Sequence, residues 1–301
     1  MSITRVMKAP SESITNEQLQ HMRYPIVGSA KIDGYRCVVD EDGPLTSSHK
    51  RFPNHFINDE LSDPLYQGLD GELLVGAPND PNAYNNSSQI MSINGKPDFR
   101  LYAFDDFRYG NYYYKDRWLE RKLQDQGRLV ILEQRILESY EDVIVYEQEM
   151  LDQGFEGSMI RTLNSFYKEG RCSFRDMAIY KRKPFVETEA IIVGFVEGLQ
   201  NLNEPKMNEQ GHMRRSSHLE NKIGKGTLGS FELRSDLWPV TFHAGLGEGF
   251  TQEDKQDIWD HRDQYLGRIV TVKYQKYGSR NRPRLPNVVK IRAAEELCLT
   301  F

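Results

Sequence analysis

Residues 26–36 read Ile-Val-Gly-Ser-Ala-Lys31-Ile-Asp33-Gly34-Tyr-Arg36. The apolar run 26–30 predicts a strand, and the Asp-Gly pair predicts a turn directly after it. Such a strand delivers Lys31 to its end, where the side chain can face a cleft. A lysine there can act as a nucleophile once burial or nearby cations depress its pKa. Arg36 can fork onto a phosphate or a sugar. Alone, the pattern K-x-D-G-x-R reads equally well as a surface turn.

It does not stand alone. Asp70-Gly71-Glu72 opens a second strand, 71–74. Leu101-Tyr-Ala-Phe104-Asp105 ends another, 100–104, in an aromatic and an acid. Glu156-Gly157-Ser-Met-Ile-Arg161 follows a helix, then come Tyr167-Lys-Glu-Gly170-Arg171 and Tyr180-Lys181-Arg-Lys183. Further strands are expected at 36–39, 157–161 and 177–181. Helical spacing appears at 116–126, through Trp118, Leu119, Lys122 and Leu123, and at 142–153, where Gly154 is a stop signal. Strands and helices do not alternate regularly and no repeat is visible. The expectation is an α+β fold with mainly antiparallel sheets.

Composition shifts after Lys183-Pro184-Phe185. Beyond it, 189–195, 227–234, 240–244 and 269–275 are strand-like. In the last, Val270, Val272 and Tyr274 share one face. Thr251-Gln-Glu-Asp254 reads as a capping box opening a helix that carries Ile258, Trp259 and Arg262. Some 115 residues of short strands broken by one helix suit a small β-barrel of OB type. The expected domains are 1–185 and 186–301. A polar loop, about 199–225, interrupts the second and holds Arg214, Arg215, Lys222 and Lys225; a loop that long is usually functional or disordered.

The chain has 301 residues and a formal net charge of −5. Hydrophobic residues make up 38% and charged residues 28%, which excludes a disordered acidic tail, a collagen-like chain or a coiled coil. No apolar run reaches membrane-span length, so no membrane is expected, and the first 15 residues lack a signal-peptide core. Three scattered cysteines argue against a disulfide framework and for a reducing compartment, read as the cytoplasm. Seven scattered histidines show no zinc spacing. The Tyr112-Tyr113-Tyr114 run reads as packing of a loop or surface. One asymmetry stands out. Residues 268–292 contain eight cations, Lys273, Lys276, Arg280, Lys290 and Arg292 among them, and no Asp or Glu. Setting these aside leaves −13 for the remainder. A basic segment on an acidic body suggests one face built for phosphate.

In order and content these six motifs resemble the covalent nucleotidyltransferases: ATP-dependent DNA ligases, RNA ligases and mRNA capping enzymes. The resemblance runs from about residue 27 to residue 292. The DNA ligases fit best, through Glu156-Gly-x-Met-x-Arg161, Tyr167-x-x-Gly-Arg171 and Lys181-x-Lys183, and through Lys225-Gly-Thr-Leu-Gly-Ser-Phe-Glu, Phe250-Thr-x-Glu and Leu266-Gly-Arg-Ile-Val-Thr-Val-Lys-Tyr in the barrel. The size is that of minimal viral and phage ligases.

The resemblance implies an adenylation domain and an OB domain flanking a cleft, with a hinge near 183–187. Lys31 would take AMP from ATP, pass it to a DNA 5′-phosphate, and the 3′-OH of the nick would then displace it. Lys181 and Lys183 would neutralise the α-phosphate and keep Lys31 unprotonated. Phe104 would stack on adenine, while Arg36 and Arg161 would contact sugar or phosphates. Asp33 would position the reacting ends. Glu72 and Glu156 would hold ribose and Mg2+ or Mn2+. The partner would be nicked double-stranded DNA, bound by a monomer. Its phosphates would meet Lys273, Lys276, Arg280 and the arm of the barrel loop, a salt-sensitive mode of binding.

Two motifs depart from the family. Its Ser-Arg segment reads Thr46-Ser-Ser48-His49-Lys50-Arg51 here, leaving Ser48, Lys50 and Arg51 as candidates for the nick contact. The last motif lacks its Asp-Lys pair, leaving Lys290 and Arg292 to orient pyrophosphate. An RNA ligase, a capping guanylyltransferase using GTP, and a catalytically dead nucleic-acid clamp are the alternatives. The intact lysine, acids and paired lysines argue against the clamp.

Overall fold

The computed structural model describes residues 4–207, 213–215, 221–247, 249–275 and 281–292. Lys276 and Arg280 lie outside the described residues. The fold is α+β and divides into two compact units, Met1–Pro184 and Phe185–Phe301.

The first unit carries β1 (Ile26–Ala30), β2 (Tyr35–Asp40), β3 (Gly43–Thr46), β4 (Leu69–Val75), β5 (Phe99–Asp106), β6 (Leu129–Ile131), β7 (Gln134–Leu137), β8 (Ser158–Thr162) and β9 (Ile179–Arg182). They form two sheets, ordered β7-β1-β8-β9 and β3-β2-β4-β5-β6. All pairings are antiparallel except β5 with β6. Every residue of β1 is buried, which is why its sequence is a continuous apolar and small-residue run rather than an alternation. The helix Tyr140–Asp152 is capped by the Ser139 side chain. It lays Val143, Tyr146 and Met150 against Ile26, Leu137 and Ile160, a face spaced three and four residues apart. The second sheet packs Cys37, Val39, Leu73 and Leu101 into the largest core.

The helix expected at 116–126 is not there. One turn forms at Tyr114–Arg117 and a 3-10 turn at Leu119–Arg121. Lys122 then adopts a left-handed φ of 48°. Arg117 and Trp118 are buried rather than displayed on an amphipathic face, so tertiary anchoring overrides the local spacing. Within the tyrosine run, Tyr114 is buried and its hydroxyl donates to the Phe104 carbonyl at 2.7 Å. Tyr112 and Tyr113 are exposed, and Tyr113 stacks on Phe166 with centroids 4.9 Å apart.

The second unit holds β10 (Val186–Asn201), β11 (Pro205–Met207), β12 (Met213–Arg215), β13 (Lys222–Arg234), β14 (Phe242–Leu246), β15 (Ile269–Gln275) and β16 (Arg284–Ile291). A closed barrel runs β10-β13-β14-β16-β15, removing sheet edges. Val270, Val272 and Tyr274 face its core with Phe231, Leu233 and Val288, matching the alternation in the sequence. The helix Gln252–Asp260 opens on the Thr251/Asp254 capping box. The stretch 199–225 is less of a loop than its polarity suggests. β10 and β13 extend into it as a ribbon in which Leu199 pairs with Gly224 and Asn201 with Lys222. Beyond it, β11 and β12 pair with each other, placing Arg214 opposite Lys206.

Candidate active site

The sheet registers bring the sequence motifs together. Antiparallel pairing of β2 with β4 sets Arg36 opposite Glu72. Pairing of β4 with β5 sets Asp70 opposite Asp105, one residue from Phe104. In the other sheet, β1 ends just before Lys31, β8 supplies Arg161 and β9 supplies Lys181. A cavity of about 250 Å³ in the first unit is lined by Lys31, Arg36, Glu72, Phe104, Arg161 and Lys181. All six were named from the sequence. Lys8, Ser29, Ile32, Leu132, Met159, Arg171 and Ile179 also line the cavity, with Ala9 and Ala30. Of these, Lys8 carries no local signal. It arrives through a bridge between its segment and Arg171, a pairing that no short-range pattern encodes.

Glu156 sits behind Lys31 and is almost wholly buried. Its carboxylate pairs with both the Lys31 and the Lys183 ammonium groups. Burial opposes the charge on Glu156, but the two lysines outweigh it and hold its pKa below the ordinary glutamate value. Lys31 shows the converse. Burial pulls its ammonium down, yet Glu156, Glu72 and Asp33 together hold its pKa above that of an ordinary lysine. The expectation that Lys181 and Lys183 keep Lys31 unprotonated is therefore corrected. Its ammonium is paired with Glu156, and the acids around it outweigh its burial. The lysine with the lowered pKa is Lys181, through burial first and then Lys31, Lys183 and Arg171. Its ammonium also donates to the Ser11 carbonyl at 2.6 Å.

Glu72 is fixed by the turn it faces. The Gly34 N–H donates to its Oε2 at 2.9 Å. A Cβ on residue 34 would lie 2.7 Å from the Leu73 carbonyl oxygen, so the close approach requires glycine. Burial pushes the Glu72 pKa up despite Lys31 and Arg36. Asp70 takes the Arg36 guanidinium in a two-pronged pair at 2.6 and 2.8 Å, and Tyr167 donates to the same carboxylate at 2.8 Å. Arg36 thereby lies 4.7 Å over the Phe104 ring, and Arg161 lies 5.4 Å over it. The strand alternation that puts Asp70 on the same face as Glu72 was the available signal for its role.

Ser48, Lys50 and Arg51 line a second cavity of about 380 Å³ together with Tyr35 and Arg36. Arg51 is tied to Asp40 at 3.0 Å. Lys290 belongs to β16 of the second unit, and Arg292, just beyond it, pairs with Glu189. Lys222 and Lys225 stand on the extended end of β13, and Lys273 is exposed on β15. Among the described residues no group of three or more His, Cys, Asp or Glu could hold a metal by itself.

Residues 223–292 match the family model of the DNA ligase OB-like domain. Among curated proteins none matches the chain. Among solved structures, Chlorella virus DNA ligase-adenylate aligns over 97% of this chain and 100% of its own, at 25% identity and a TM-score of 0.53. A structure of Lig E DNA ligases aligns over 97% of this chain and 100% of its own, at 19% identity and a TM-score of 0.67. The architecture of this chain is thus that of the ATP-dependent DNA ligases: a nucleotidyltransferase unit followed by an OB barrel.

Proposed function

We propose that this chain, a DNA ligase by fold and by its OB domain, uses ATP to seal 5′-phosphate/3′-OH nicks in duplex DNA through a lysyl-AMP intermediate on Lys31. One observation carries the reading. Lys31 opens into a cavity whose wall combines cations for phosphate with Phe104 and apolar side chains for a base.

In the first step the neutral Lys31 amine bonds to the α-phosphorus of ATP, the bond to pyrophosphate breaks, and the nitrogen sheds one of its two protons to solvent, leaving the lysyl-AMP phosphoramidate. AMP then passes to the DNA 5′-phosphate, and the 3′-OH displaces AMP to form the phosphodiester. Covalent catalysis divides one hard condensation into phosphoryl transfers. Each transfer moves charge onto phosphate oxygens, so cations are the working groups. Lys181, Lys183 and Arg161 neutralise that charge. Phe104 and the apolar wall take the adenine, and Arg36 contacts the sugar. Lys290 and Arg292 serve the pyrophosphate. Lys31 starts as an ammonium paired with Glu156, so its release and deprotonation are a step of their own. Glu72 and Glu156, two carboxylates without a third, suit Mg2+ or Mn2+, which keeps waters and shares substrate phosphates; the cation would supply further neutralisation of the triphosphate. Ser48, Lys50 and Arg51 face the nick, and Lys222, Lys225, Lys273, Arg214 and Arg215 the duplex phosphates. The protein acts as a monomer in the cytoplasm, a setting supported by the unpaired, buried thiols of Cys37 and Cys172. No helix among the described residues is long and apolar enough to cross a membrane.

The test is direct. Incubation with labelled ATP and Mg2+ gives a covalent protein–AMP adduct that Lys31→Ala abolishes, and nicked duplex DNA is then sealed. No adduct, or one that survives Lys31→Ala, overturns the reading. An adduct with GTP alone points to capping chemistry, and sealing confined to RNA strands points to an RNA ligase.

A further inference from the structure

Asp105 is fully buried, so it cannot touch a nucleotide. Its carboxylate nonetheless receives three guanidinium N–H groups. Arg161 donates from Nη1 at 2.8 Å. Arg117 donates from Nε at 2.7 Å and from Nη2 at 3.0 Å. The two arginines differ in what lies beyond them. Arg161 lines the nucleotide cavity and lies over the Phe104 ring. Arg117 has no exposed side-chain surface. Its Nη1 reaches the Tyr112 carbonyl at 3.0 Å and the Ser165 carbonyl at 2.6 Å. One carboxylate therefore fastens a cavity arginine to a clasp in the interior. Only one of the five N–H groups of Arg161 is spent on it, so the guanidinium is held without being used up.

The neighbouring strand repeats the device. Asp70 stands opposite Asp105 in the β4–β5 ladder and holds Arg36 over the same Phe104 ring. Two carboxylates opposite each other on paired strands repel unless each is matched by a cation. Each is matched here, Asp70 by Arg36 and Asp105 by Arg117 and Arg161, and of these Arg36 and Arg161 line the cavity.

We propose that Asp105 is a positioning residue of the nucleotide reaction: it sets the Arg161 guanidinium against Phe104, and the contribution of Arg161 to handling ATP depends on it. The lowered pKa of Asp105, which the two arginines impose against its burial, keeps the anchor charged at working pH. The proposal rests on the reading of Lys31 as the site of adenylylation.

A double-mutant cycle tests it. Lys31 adduct formation is measured against ATP concentration for the wild-type chain, Asp105→Asn, Arg161→Ala and the double variant, with thermal unfolding alongside. Asp105→Asn is expected to lower kcat/KM roughly tenfold or more, mainly through KM. In the Arg161→Ala background the same change is expected to alter kcat/KM less than about twofold. Additive losses would overturn the proposal, since a purely structural acid would harm both backgrounds alike. If Asp105→Asn does not fold, Asp105→Asn/Arg117→Gln removes one charge of each sign; a folded protein with the raised KM supports the proposal, and one with wild-type KM overturns it. A wild-type chain that forms no adduct would instead sink the functional reading itself.

Discussion

At the scale of single residues, the charge state of Lys31 decides the chemistry. Its pKa in the fold is raised above the unfolded value of about 10.4. Its pair with Glu156 therefore stabilises the fold fully below that pH and is lost as pH rises through the folded value. Glu156 and Asp105 have depressed values. Their contribution is present above about 4 and is lost as pH falls through their folded pKa values. Catalysis runs against stability here, because the attacking amine is scarce at neutral pH. Adduct formation at saturating ATP is expected to climb from pH 7 to 9 by roughly tenfold per unit. Glu156→Gln removes the first carboxylate that raises the lysine, so its rise is expected at lower pH, on a lower plateau. A rate flat between pH 7 and 9 in single-turnover measurements would refute this account. Lys31, Arg36 and Glu72 were legible because one turn and one strand alternation place them. The bond from Arg161 to Asp105 was not, since it joins residues 56 positions apart on different sheets, where no local pattern operates.

At the scale of elements, the lead into β8 is the tightest joint of the site. Gly157 has a φ of 149°, and a Cβ there would lie 2.2 Å from the Arg182 carbonyl oxygen. Its own carbonyl accepts from the Lys31 N–H at 2.9 Å. Gly157 thus lets β9 close on β8 while holding the backbone of Lys31 beside Glu156. Gly157→Ala is expected to cost about 2–4 kcal/mol of stability and to depress adduct formation at temperatures where the variant is still folded. Unfolding by denaturant and the labelling assay check the two parts; wild-type values in both would remove this joint from the mechanism. The strands that the sequence made readable are those with buried apolar runs, such as β1, or clean alternation, such as β15. Among the strands it concealed, β6 and β7 are three and four residues long, and most of their residues are half-exposed or exposed. The far ends of β10 and β13 are hidden for a related reason: they pair with each other where most side chains face solvent, so their polarity mimics a loop. The false helix at 116–126 is the opposite error, a true helical spacing broken because Arg117 is worth more to the fold bound to Asp105 than on a helix face.

At the scale of the whole molecule, the net charge of −5 argues against a polyanionic partner only if charge is spread evenly. It is not. Asp70, Asp105 and Glu156 are buried and matched to cations, so they contribute little to the field seen outside. Lys222, Lys225 and Lys273 stand half-exposed or exposed on barrel strands, and eight cations without an acid fill 268–292. A duplex bound through such cations releases counterions. The logarithm of affinity then falls linearly with the logarithm of salt, by about 0.9 per phosphate contact. Binding of nicked duplex by the Lys31→Ala chain, which cannot turn over, is expected to show this dependence. Each of Lys222→Ala, Lys225→Ala and Lys273→Ala is expected to flatten the slope by up to that amount, with little change between DNA sequences. Slopes identical to that of the parent in all three variants would mean that these cations are ordinary solvated surface and that the duplex is held elsewhere.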